Sequence, residues 1–86
     1  MKLKREFAAR EVAGEYLLVP IGRTTVDMNG MITLNETGAF LWQKLPDAPD
    51  EAALVDALLA EYEVESVSAQ QDVAEFLMQL RELGIL

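Results

Sequence analysis

Apolar spacing changes once along this chain, at Asn35, and that change dictates what it can build. Before Asn35 the apolar residues come in short runs divided by turn residues; after it they recur at the three- and four-residue intervals of helices. Phe7–Val12 reads as a mixed strand and Ala13-Gly14-Glu15 as a short turn. Tyr16–Ile21 is apolar on both faces, which suits a central strand. Pro20 and Gly22 mark a bend or bulge, and Thr24–Met28 can resume the strand as an extended arm. Asn29-Gly30 is a hairpin signal, because both residues tolerate the positive φ of a type I′ turn. Met31–Leu34 then forms the last strand. Three strands joined by turns make an antiparallel meander, the second in the middle and the first and third at the edges.

The helical half has its own punctuation. Asn35 is placed to cap a first helix, Glu36–Leu45, whose Gly38, Leu41, Trp42 and Leu45 share one face. Pro46-Asp47-Ala48-Pro49 breaks it. Asp50 can cap a second helix with the stripe Leu54, Val55, Leu58, Leu59 and Tyr62. Ser68 with Gln71 predicts a capping box for a third helix, which Gly84 ends near Leu83. Its stripe is Val73, Phe76, Leu77, Leu80 and Leu83. The expected fold is α+β, in the order βββααα, as a single domain over residues 1–86.

Composition narrows the function. The 86 residues include no Cys and no His, so a thiolate nucleophile, an imidazole ligand and a Ser-His-Asp triad are all excluded. Without that equipment the expectation is a binding module, not an enzyme, with no cofactor and no metal. The acidic residues Glu61, Glu63, Glu65 and Asp72 lack the Asp-x-Asp-x-Asp-Gly spacing of a calcium loop and read as a solvated face. Asn35-Glu36-Thr37 matches a glycosylation sequon, but the helix cap is the role expected of it. Phe40 and Trp42, beside Leu41 and Leu45, read as core.

Charge is divided unevenly. The net of −8 arises from residues 1–30 with five positive and four negative groups, and residues 31–86 with two positive and eleven negative. Such a surface repels nucleic acid and anionic membrane. No apolar run approaches the ~18–20 residues of a spanning helix, and no signal peptide is evident, so a cytoplasmic protein is expected. The basic residues Lys2, Lys4 and Arg5 fit either docking on a partner enzyme or a solvated terminus.

Three segments, REVAGEYLLVPIG, NGMITLNETGAFLW and DVAEFLMQLRELGIL, resemble the PqqD-like family, named for pyrroloquinoline quinone biosynthesis protein D. The resemblance runs from about Phe7 to Leu86, and Leu34–Ala39 followed by Phe40-Leu41-Trp42 is its most specific part. It implies a small winged-helix-like domain that recognises the leader of a ribosomally made precursor peptide and presents it to a maturase, often a radical S-adenosylmethionine enzyme. It also implies that the leader adds as a strand to the third β-strand and lies against the third helix. An extra arm, about Arg23 to Gly30, departs from the namesake and fits a standalone relative serving another modified peptide.

The residues themselves point the same way. Met31-Ile32-Thr33-Leu34 is an edge strand without a charge or proline, the kind of open edge that strand addition needs. On a helical wheel Gln70, Ala74 and Arg81 fill the sector between Leu77 and Met78, a small, partly apolar wall with one cation. The expected peptide-binding residues are therefore Met31, Ile32, Thr33, Leu34, Gln70, Ala74, Leu77, Met78 and Arg81, with Arg81 meeting an acidic leader residue. Two other readings compete: a winged-helix transcription regulator, and a structural dimerisation domain. The predicted third helix argues against the first, since Asp72, Glu75 and Glu82 outnumber Arg81. An open edge also admits an edge-paired or domain-swapped dimer beside the monomer.

Overall fold

The computed structural model describes residues 1–24 and 31–86; the expected Asn29-Gly30 turn and most of the Thr24–Met28 arm lie outside them. Strands β1 (Phe7–Val12), β2 (Glu15–Pro20) and β3 (Ile32–Leu34) form one antiparallel sheet in the order β1-β2-β3. The register pairs Phe7 with Pro20 and Val12 with Glu15 across β1 and β2, and Tyr16 with Leu34 and Leu18 with Ile32 across β2 and β3. The turn between β1 and β2 is a residue shorter than the sequence suggests. Ala13 (φ 52°) and Gly14 (φ 82°) alone reverse the chain, both with the positive φ of a type I′ turn, which frees Glu15 to pair.

Helix α1 (Glu36–Lys44) begins at Asn35, whose Oδ1 accepts the Gly38 N–H at 2.7 Å. A 3-10 turn, Leu45–Asp47, follows it, and Asp50 caps α2 (Glu51–Glu61) by accepting the Ala53 N–H at 3.0 Å. Helix α3 (Ser66–Glu82) starts earlier than the Ser68–Gln71 box predicts. No Gly or Pro interrupts the residues before Ala69, so the ladder runs on one more turn, and the Ala69 N–H already donates to Glu65 O at 2.9 Å. Gly84 (φ 73°) ends α3 in a Schellman motif: Ile85 N–H donates to Leu80 O at 2.9 Å and Gly84 N–H to Arg81 O at 3.1 Å.

The sheet and helices α1 to α3 close over one core. Leu18 and Leu34 come from the sheet, Leu41, Trp42 and Leu45 from α1 and its 3-10 turn, Leu54 and Leu58 from α2, and Val73, Phe76, Leu77 and Leu80 from α3. Trp42 stands edge-on to Phe7 at 6.3 Å between ring centroids, so it is core as read, while half-buried Phe40 meets Tyr62 edge-on at 5.5 Å. The N-terminal segment is docked on the core. Leu3 packs against the buried cluster, Lys4 N–H donates to Ile85 O at 2.6 Å, and Glu6 N–H donates to the Oγ1 of buried Thr24 at 2.8 Å. Among the described residues no helix is long and apolar enough to cross a membrane.

Candidate functional site

The site starts from the sheet edge. β3 pairs with β2 on one side, and among the described residues no strand covers its other side. Three uncharged residues leave that edge without the lysine, proline or bulge that usually blunts one. Beside it lies a groove of about 310 Å³ between β3, the start of α1 and one flank of α3. Its floor is apolar: Leu34, Gly38, Leu41 and Phe76. Its rim is polar, with Thr33, Asn35 and Thr37 on the sheet side and Asp72, Glu75 and Gln79 on α3.

Gly38 sets the depth of the floor. A Cβ there would sit 3.5 Å from Leu34 Cβ and 3.1 Å from Asn35 Oδ1, the atom that caps α1. The glycine lets α1 start hard against β3 and leaves the space above open.

The expected site residues are only partly brought together. Thr33 and Leu34 line the groove. Ile32 is half-buried against the core, and Met31, 62% exposed, precedes the strand. The α3 residues fall elsewhere. Gln70 and Ala74 line a second recess, of about 520 Å³, shared with Glu51, Ala52, Val55, Asp56 and Leu59 of α2 and with Ser66. Leu77 is wholly buried in the core, while Met78 and Arg81 are exposed and line neither hollow.

The α3 wall of this groove is therefore Asp72, Glu75, Phe76 and Gln79, not Gln70, Ala74, Leu77, Met78 and Arg81. The reason is geometric. At about 100° per residue, the stripe Val73, Phe76 and Leu80 has two flanks. α2 packs along the flank of Gln70 and Ala74, which leaves the opposite flank facing β3. Nothing local to α3 distinguishes the flanks. The one signal available in the sequence was Gly38, a small residue on the buried face of a helix that starts at an edge strand.

Electrostatically the groove is negative. Among the described residues, Asp72 and Glu75 are the only charged groups that line it, and no lysine or arginine offsets them. Carboxylates also surround the two tyrosines. The Glu11 carboxylate, then burial, holds the Tyr16 hydroxyl above its ordinary pKa, and burial followed by the Glu36 and Glu61 carboxylates does the same for Tyr62. The groove thus offers an open strand edge, an apolar floor and an anionic rim. It has the shape to take an extended chain alongside β3.

Known proteins bear on this geometry. No curated protein sequence matches the chain. Among solved structures, it is similar to a lasso peptide synthetase B1 complexed with the leader peptide, with a TM-score of 0.71 and 27% identity over 98% of this chain and 93% of that one. It shares its fold with TbiB1 in complex with the TbiA(beta) leader peptide, with a TM-score of 0.70 and 22% identity over 99% of this chain and 94% of the other. The family model for coenzyme PQQ synthesis protein D matches residues 15–86, from the start of β2 through the groove and both of its walls, and the chain belongs to the PqqD family.

Proposed function

We propose that residues 1–86 form one non-catalytic recognition domain that captures the leader segment of a ribosomally made precursor peptide. The leader adds as a fourth strand along β3, with alternate side chains entering the groove against α3. Main-chain hydrogen bonds supply affinity and the groove supplies selectivity. The domain then presents the peptide, in the cytoplasm, to a modifying enzyme, a radical S-adenosylmethionine maturase in the form the family resemblance implies. The reading rests on one observation: the edge of β3, uncharged and unpaired among the described residues, lies alongside a groove that can take the side chains of an added strand. The similarity to a lasso peptide synthetase B1 complexed with the leader peptide supports it. A duplex-DNA regulator finds no such support, since α3 carries Asp72, Glu75 and Glu82 against Arg81 where a groove-reading helix wants cations.

The test is an NMR titration of the isotope-labelled protein with the leader of a candidate precursor. Shifts concentrated on Ile32–Leu34 and on Asp72–Gln79 are expected. Saturation with shifts confined to the recess of Gln70 and Ala74 would move the site to the other side of α3.

A further inference from the structure

We propose that the groove selects peptides carrying a lysine or arginine, the aliphatic stem lying on the exposed edges of Leu34 and Phe76 and the cationic head meeting Asp72 and Glu75. This deepens the peptide-capture reading and rests on it.

The groove is layered in the way such a side chain is. The edges of Leu34 and Phe76 that remain exposed at its floor can meet a methylene stem, and its rim offers acceptors to a charged tip. An all-apolar side chain would fill the floor and leave two carboxylates partly stripped of water with no partner, which is costly. An acidic one would add repulsion. Asp72 and Glu75 are three residues apart on one flank, with Cβ atoms about 5–6 Å apart in a helix, close enough for a single cation to meet both. The Gln79 side-chain carbonyl adds an acceptor one turn further along the same wall.

The sign is the reverse of the one the sequence suggested. Arg81, the cation expected to meet an acidic leader residue, is not among the groove residues. With no cation on the lining among the described residues, discrimination falls to the two carboxylates. In an added strand, side chains facing α3 recur every second residue. The basic residue therefore holds a fixed place in the pattern, flanked two residues away by smaller or apolar groups.

A displayed library of random peptides, panned over the immobilised full chain, tests this directly. The wild-type protein should enrich lysine or arginine at one fixed position. The double variant Asp72→Lys/Glu75→Lys, altered only at exposed positions, should enrich aspartate or glutamate there instead. A synthetic copy of the leading wild-type peptide with its basic residue changed to Glu should lose about tenfold or more in affinity, the scale of a charge-assisted hydrogen bond, and regain part of it on the double variant. Absence of basic enrichment, or the same enrichment with the double variant, would overturn the inference.

N-methylation of the leading peptide, one residue at a time, separates this from strand capture, because it deletes backbone donors without touching the protein. Losses at alternate residues together with indifference to the charge swap would overturn the charge selection alone. Indifference to N-methylation throughout, or a library from which nothing is enriched, would overturn strand capture and the inference with it.

Discussion

Ala13 sits at φ 52° in the first central position of the β1–β2 turn, and among the described residues it is the one non-glycine with a positive φ. A Cβ in that region costs about 1–2 kcal/mol, and asparagine tolerates it better because its short polar side chain can bond locally. Ala13→Asn should therefore raise stability by about 0.5–1 kcal/mol, a shift of several degrees in Tm for a domain of this size. Gly14→Ala should do the opposite, by about 1 kcal/mol. The second variant isolates the backbone, since nothing lies within 4 Å of the Cβ it would add. Urea or thermal unfolding of both variants checks the pair. Equal stability of wild type and Ala13→Asn would mean that the turn carries no such strain.

At the scale of an element, α3 carries the most information, because consecutive residues on it do unlike things. Leu77 is wholly buried and Met78 is 52% exposed. Leu77→Ala should cost about 2–5 kcal/mol of stability through the cavity it leaves, whereas Met78→Ala should stay within about 0.5 kcal/mol. Comparable losses in urea unfolding would show that the helix is rotated from the orientation described. That orientation is where reading the sequence reached its limit. The caps at Asn35 and Asp50, the stop at Gly84 and the order of the strands were legible, because each is set by residues within a few positions of one another. The edge strand was legible for the same reason, read as Met31–Leu34 where the structure starts it at Ile32. Which flank of α3 faces it was not. Gln70 and Ala74 look like a binding wall, being small and partly apolar, but they line a separate recess shared with α2, and the outcome depends on how a helix some fifteen residues upstream lies across the core. The start of α3 was missed for a lesser reason: Ser68 and Gln71 satisfy the pattern of a cap, yet nothing before them stops the ladder.

Over the whole molecule, the groove lies in the half of the chain that carries the charge. Residues 31–86 hold two positive and eleven negative groups, and among the described residues the groove's lining comes from that stretch. A field of that sign draws cationic chains from a distance and repels anionic ones before any contact forms. Its reach is set by salt, about 8 Å at physiological ionic strength and 30 Å at 0.01 M. Association of a lysine-bearing peptide should therefore slow by about tenfold or more between 0.01 and 0.5 M salt, while dissociation, governed by strand hydrogen bonds and the groove floor, changes far less. Arg81→Glu, which takes the net charge from −8 to −10, should leave dissociation unchanged and quicken association slightly, because the side chain adds to the field without lining the groove. Stopped-flow binding across a salt series measures both rates. Association independent of salt would mean that the acidic surface takes no part in capture. A marked change in dissociation with Arg81→Glu would place that side chain in contact with the peptide, and so bring the outer flank of α3 back into the site.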